Sequence, residues 1–361
     1  MAKIQTVRGD ISPDNLGITI THEHLFLYMD NHHGAYEREV PPVRATLSKY
    51  DSPLTLENLS ELRRNPSLSK ENITFNDVNM TIEEVTEYKK MGGKSIVDVT
   101  PEGCGRDPMA LYEVSNATDL NIIAATGAYV GGSHPEYIRK MTLEELTEHM
   151  IKEVTVGIDD TGIKAGVIKI AVLYHEKGFD EREEKVLRAA ARTQAETGIA
   201  ATIHPGMCDF DGGQWDFYAK EADKYIEIAE SEGGTRNKFY ISHIDQWCND
   251  IDYIKKILDL GINIDFDTFG NETYDDTFFM GYSMPSDRER VKALVELCES
   301  GYDKQITLAH DIFSKTMYKR WGGYGYGHIL RHIVPSLEVR GVTKKQIDNM
   351  LINNTKRLLT M

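Results

Sequence analysis

Six residues able to ligate a metal or carry a proton lie at or near the ends of five short apolar runs. Gly17-Ile18-Thr19-Ile20-Thr21 leads to His22-Glu23-His24, and Lys169 sits within Gly166-Val167-Ile168-Lys169-Ile170. Ile199 to His204, Phe239 to His243 and Ile306 to Asp311 supply the rest. Side chains alternate along a strand, so His22 and His24 point the same way and can reach one ion together. Lys169 is the odd member, because an ammonium among Val167, Ile168, Ile170 and Ala171 is expensive to bury unpaired. Either a nearby Asp pairs with it, or burial lowers its pKa and the neutral amine takes up CO2 as a carbamate. Such a carbamate presents two oxygens and can bridge two cations. His204 and His243 each precede turn-like residues, and either alone reads more readily as a structural histidine than as a ligand. Asp311 can both ligate and accept a proton from water. Together these side chains suffice for two ions about 3.5–4 Å apart. The imidazole-rich set favours zinc over magnesium, and two zinc ions sharing a water would bring its pKa toward neutrality while polarising a carbonyl or phosphoryl oxygen.

The elements that must position these residues alternate. The remaining strand candidates are Lys94 to Thr100, Asn121 to Tyr129 and Gly261 to Asp267. Between strands, helical patterns run from Thr81 (as cap) to Gly92-Gly93, Glu181 to Gly198, Asp216 to Gly233, Asn249 to Gly261 and Ser286 to Gly301, each closing on glycine. Strand–helix alternation with β-rich apolar runs implies a parallel sheet, and ligands at successive strand ends are what a (β/α)8 barrel shows in sequence. No Gly-x-Gly-x-x-Gly follows a strand, so a dinucleotide fold has no fingerprint. The expected architecture is therefore α/β, one distorted (β/α)8 TIM barrel over residues 1–361. Such a barrel takes about 250 residues, which leaves roughly 110 for long βα loops at the catalytic face. One is a lid-like insertion at about 30–78. The other, Thr268 to Ser286, carries Phe269, Tyr274, Phe278, Phe279 and Tyr282, which either line the pocket or pack on one another.

Bulk properties exclude several classes. A net charge of −16 argues against a nucleic-acid partner, which would want a basic face. Cys104, Cys208, Cys248 and Cys298 have no C-x-x-C spacing, the N-terminus has no apolar leader, and no run approaches the 18 or so apolar residues of a membrane span. These features read as a reduced, cytoplasmic protein with no membrane partner.

Thr21-His22-Glu23-His24, Ile168-Lys169, Thr202-Ile203-His204-Pro205-Gly206, Ser242-His243 and Ala309-His310-Asp311 together resemble the phosphotriesterase-like branch of the amidohydrolase superfamily. Val97-Asp98-Val99-Thr100, Gly105-Arg106-Asp107-Pro108, Ala125 to Tyr129 and Gly322 to Ile329 look like its phosphotriesterase-related subgroup, so the likeness spans nearly the whole chain. That resemblance implies His22, His24 and Asp311 on a more buried metal, His204 and His243 on a more exposed one, and a carbamylated Lys169 and a hydroxide bridging them. It implies that Tyr129 is a pocket tyrosine near the bridging oxygen, where the residue pattern alone leaves a packed aromatic open, and it suggests a homodimer. In one respect the chain departs: similar lactone-hydrolysing members carry Arg directly after the strand 7 Asp, whereas here the run is Asp267-Thr268-Phe269-Gly270. Acyl-homoserine lactonase activity is thereby placed in doubt.

The function expected is a binuclear zinc hydrolase whose bridging hydroxide attacks a carboxyl ester, lactone or amide carbonyl of a small molecule. The exposed metal polarises that carbonyl, and Asp311 passes the proton to the leaving group. Two rivals stand beside it. One is a lactonase for phosphorylated or otherwise anionic sugar lactones, with incidental phosphotriesterase activity, that would draw a basic group from the strand 7 or strand 8 loop, Lys315, Lys319 and Arg320 following strand 8. The other is a non-catalytic metal-binding barrel. Glu23 should face away from its histidine neighbours as a packing or capping residue, Arg106-Asp107 should fix a loop at a helix start, and Cys104 lies near the pocket with nothing to activate it.

Overall fold

A computed structural model of the chain describes residues 2–28, 51–172, 174–175, 178–205, 222–272, 274–275 and 282–361. The strands with branched apolar runs form a ring. They are β1 (Thr19–Glu23), β2 (Ser95–Asp98), β3 (Asn121–Ile123, resumed at Ala125–Thr126), β4 (Val167–Val172), β5 (Ala200–Pro205), β6 (Phe239–Ile241), β7 (Asn263–Phe266) and β8 (Ile306–Leu308). Every neighbouring pair within the two arcs is parallel. One arc runs β1–β2–β3 and the other β3–β4–β5–β6–β7–β8. The arcs share the third strand, whose first half pairs with β2 and second half with β4. The remaining seam closes beyond the regular strands, where the Asp311 amide donates to His22 O at 3.0 Å. The chain is a distorted (β/α)8 barrel, and its distortion is concentrated at the divided β3 and the β8–β1 seam.

Helices α1 (Val78–Lys90), α2 (Pro108–Thr118), α3 (Leu143–Thr155), α4 (Glu181–Thr197), α5 (Ala222–Ser231), α6 (Ile251–Asp259) and α7 (Asp287–Glu299) alternate with the strands. After β8 a π-helical turn at Ile329–Ile333 continues into α8 (Val334–Val339). Ser286 and Glu289 close a reciprocal cap on α7, as the sequence suggests. At α1 the sequence places the cap at Thr81, but the helix starts earlier, where the Asp77 carboxylate accepts the Met80 amide at 3.0 Å. Thr81 turns inward and donates to Leu25 O at 3.3 Å, so it packs rather than caps. The start expected at Asp216 and the stretch 30–50 lie outside the described residues.

Apolar burial explains the two layers. Outer faces of the strands pack Ile20, Ile96, Ile122, Ile168, Ile203 and Ile241 against the helices. Val97, Val99, Ile123, Ala125, Val167, Ala200 and Tyr240 form a separate interior cluster, plugged by Ile4, Leu16, Leu358 and Leu359. Burying each such side chain contributes roughly 1.5–3 kcal/mol, so the barrel is a packed scaffold and its open end carries the chemistry. The described half of the insertion leans on the segment after β8. Thr74–Phe75 pairs with Leu27–Tyr28, Asn72 O accepts the Lys315 amide at 2.7 Å, and Arg63 donates to Trp321 O at 2.8 Å.

Candidate active site

All six predicted residues converge at the C-terminal end of the strands. β1 delivers His22 and, just past its end, His24, whose Nε2 lies 3.3 Å from Asp311 Oδ1. His22 Nε2 is 3.7 Å from the same oxygen and 2.9 Å from Lys169 Nζ. His204 Nδ1 and His243 Nε2 stand 2.8 Å apart, and His243 Nδ1 is 3.9 Å from Asp311 Oδ2. The His22 and His243 rings, 4.9 Å between centroids, join the two halves into one cluster.

The cluster's electrostatics suit cations. Burial, with Lys169 and the other histidines adding to it, holds His22 well below the usual imidazole range, and burial takes His243 down to about 4. Burial likewise lowers Lys169 to about 8, against the opposing pull of Asp311 and Asp267. Burial alone would raise Asp311, but His24, His243 and Lys169 hold it below its ordinary value. Ring nitrogens and the Lys169 amine thus crowd to hydrogen-bonding distance around one carboxylate. His22 Nδ1 and Asp267 Oδ2 are buried 2.7 Å apart, yet they are misaligned and neither completes a hydrogen bond. Converging nitrogen lone pairs and orphaned buried polar atoms of this kind are the donor chemistry of a nitrogen-rich cation site. The residues fit a metal pair.

Outer contacts orient the imidazoles, as metal-ligating histidines require. Thr100 Oγ1 lies 2.8 Å from His24 Nδ1, and Asp98 fixes that turn by accepting the Thr100 and Leu25 amides at 3.0 and 2.7 Å. Asp267 Oδ1 accepts both the amide and the ring Nδ1 of His243, at 2.8 and 2.9 Å. Thr100, Asp267 and the Glu23–His310 pair were not singled out by the sequence as parts of the site. Asp267 had a signal, since it ends a strand as the ligands do.

Tyr129 packs edge-on against His204 with its hydroxyl 3.3 Å from Nε2. It is delivered by Gly127, which has φ +113° and whose absent Cβ would meet Lys169 O at 2.1 Å. Only glycine lets the third strand pass so close to Lys169. Cys104 is buried and its thiol is pushed up to about 12 by burial, so it offers no nucleophile. Arg106 bonds Glu153 and Glu102 rather than Asp107, while Asp107 caps α2. After β8, Lys319 pairs with Glu87 at 2.8 Å, Arg320 with Glu83 at 3.3 Å, and Glu84 accepts both of their amides. These cations face α1, and Lys315 is buried. Of the aromatics expected in the β7 loop, Phe269 is buried; the side chains of Tyr274, Phe278, Phe279 and Tyr282 lie outside the described residues.

A parallel barrel that gathers imidazoles, a lysine and a carboxylate at its strand ends defines a candidate barrel metallohydrolase. The chain belongs to the phosphotriesterase family, a metal-dependent hydrolase family whose model matches residues 2–359. It is 36% identical to the N-acetyltaurine hydrolase of Salmo salar over 360 residues, 99% of this chain and 98% of that one. Among solved structures it resembles a resiniferatoxin-binding protein from Rhodobacter sphaeroides, with a TM-score of 0.88 and 30% identity over 99% of this chain and 94% of the other. An organophosphorus hydrolase mutant from Deinococcus radiodurans aligns with a TM-score of 0.72 and 29% identity, covering 99% and 97%. Among the described residues no helix is long and apolar enough to cross a membrane.

Proposed function

We propose that this chain is a binuclear, zinc-dependent hydrolase that cleaves the amide of a small N-acylated, anionic amine. The observation that carries the chemistry is the convergence of His22, His24, Lys169, His204, His243 and Asp311 on one buried cluster. His22, His24 and Asp311 would hold one ion, His204 and His243 the other, and Lys169 as its carbamate would lie between them. When bound, such a pair lowers the pKa of water and polarises a carbonyl oxygen. Among ester, lactone and amide, the amide is favoured by a relative 36% identical along nearly its whole length that hydrolyses an N-acetylated amine. A strand 8 anion site for a phosphorylated sugar lactone loses support, because Lys319 and Arg320 are engaged with Glu87 and Glu83.

The chain's own groups supply the rest. Asp311 Oδ1 and Oδ2 are the proton acceptor for the attacking water and the donor to the departing amine. Its carboxylate is held ionised by His24 and Lys169, so it is ready to accept. The Tyr129 hydroxyl, beside His204, is placed to steady the substrate carbonyl oxygen. The whole chain acts as one domain in a homodimer.

The test is a panel assayed with zinc-loaded protein: N-acetyl amino sulfonates and N-acetyl amino acids, lactones, carboxyl esters and phosphotriesters. The proposal expects the highest kcat/KM on an N-acetyl amide. Faster turnover of lactones than of every amide would replace the substrate class, and no hydrolysis of any member would leave a metal-binding barrel.

A further inference from the structure

Among the described residues, the non-glycine residues with positive φ are Asp119, Asp159, Asp160, His243 and Asp311. The first three lie at a helix C-terminus and in a tight turn. His243 (φ +62°) and Asp311 (φ +49°) instead sit just past the ends of β6 and β8, and both belong to the six-residue cluster. Left-handed backbone at such residues is sparsely populated and persists only where surrounding contacts over-determine it.

The same device stands at both strand ends: one carboxylate oxygen accepts the main-chain amide and the ring Nδ1 of one histidine. At β6, Asp267 Oδ1 takes His243 N and Nδ1 at 2.8 and 2.9 Å. At β8, Glu23 Oε1 takes His310 N and Nδ1 at 3.0 and 2.6 Å. There the clamp extends further. Glu23 Oε2 accepts the Ile312 amide at 3.3 Å, and His22 O accepts the Asp311 amide at 3.0 Å. Three consecutive amides, 310 to 312, are thus tied to residues 22 and 23 of β1. His310 Nε2 accepts the Ile329 amide at 3.2 Å, which leaves the ring proton on Nδ1 and fixes the ring between Glu23 and the π-helical turn. Glu23 therefore straddles Asp311 from the neighbouring strand, buried and, by strand alternation, on the other face from His22 and His24.

We propose that Glu23 and His310 are positioning residues. They hold Asp311 in its left-handed conformation with its carboxylate toward His24 and His22, and so set the affinity of the ion at that triad. The inference rests on the reading that His22, His24 and Asp311 hold a metal. Removing the clamp lets the strand end relax to ordinary φ and swings the carboxylate away.

The experiment is equilibrium binding of Zn2+ to the full chain, followed by elemental analysis, with Co2+ absorption spectra as a second readout. Glu23→Gln keeps the volume but puts an NH2 group against amide donors. It is expected to weaken one of two equivalents by about 10–100-fold, the usual range for partners behind a ligand, and to lose the absorption of one cobalt ion. His310→Ala should do the same. His310→Asn, whose side-chain NH2 takes the place of the Nδ1–H, should restore wild-type affinity, which a general loss of stability would not allow. Wild-type affinity for both equivalents in Glu23→Gln overturns the proposal. If that variant fails to fold, equal affinities in His310→Ala and His310→Asn overturn it instead. A wild-type chain that takes up no metal defeats the binuclear reading and this inference together; two tight equivalents in both wild type and Glu23→Gln defeat this inference alone.

Discussion

At Asp311 two demands fall on one carboxylate. In the proposed mechanism it must stay ionised beside His24 and His22, and it must accept a proton during turnover. The neighbouring nitrogens hold its pKa down against burial, so the ground state satisfies the first demand. Asparagine can still ligate weakly but cannot take a proton. Asp311→Asn should therefore lower kcat by at least about 10²-fold while some metal remains bound; equal kcat at saturating metal would leave Asp311 a ligand only. Lys169 makes a separate prediction. Its amine, brought to about 8 by burial, has a substantial neutral fraction that can take up CO2. Lys169→Ala should lose both metal and activity, and added short carboxylic acids should partly restore them. Full activity in that variant would remove the carbamate from the proposal.

At the scale of elements, the loop after β2 ties the site to the helical layer. Thr100 touches His24, and Glu102 bridges to Ala128 next to Tyr129. That loop is anchored by Arg106, which donates to Glu153 at 2.7 Å and to Glu102 at 3.0 Å with its side chain 3% exposed. Breaking one side of a buried ion pair strands the other charge, so Arg106→Met should destabilise the fold by roughly 3–5 kcal/mol, read by urea denaturation. An unchanged midpoint would mean the loop is held otherwise. His149 on α3 adds a pH dependence. Its hydrogen bond to Glu102 at 3.0 Å raises the imidazole pKa above its ordinary 6.5, against the opposing effect of burial. A raised folded pKa stabilises fully below 6.5 and is lost as pH rises through the folded value. The stability gap between wild type and His149→Gln should thus be wider near pH 5.5 than near pH 8.5. A gap that widens with rising pH would reverse the assignment.

For the whole molecule, the proposed ligands come from five strands, which would make metal binding and folding one equilibrium. β1, β4, β5, β6 and the β8 end must all be in place before the cluster exists. Metal that binds only the folded chain stabilises it by about 4 kcal/mol at a thousand times Kd. Elemental analysis should find close to two equivalents per chain, and exhaustive chelation should lower Tm in a manner reversed by zinc. One equivalent or fewer after growth with added metal would remove the two-ion proposal.

The alternation of short apolar runs with glycine-closed helices was enough to specify a barrel, because strand and helix periods are local properties of the chain. The candidate cluster was legible for a related reason: on a parallel barrel the residue after each apolar run lands on the same face, so sequence position becomes spatial position. Four things needed the tertiary structure. β3 divides at Ala124 because its two halves pair with different neighbours. α1 starts at Asp77 rather than Thr81 because Thr81 finds a carbonyl on another element. Lys319 and Arg320 turn out to be engaged by α1, some 230 residues earlier in the chain. The Glu23–His310 clamp joins the first and last strands, 287 residues apart, whereas Asp267–His243 joins two consecutive ones. That Glu23 of the first strand holds the end of the eighth depends on ring closure, and no local spacing encodes that.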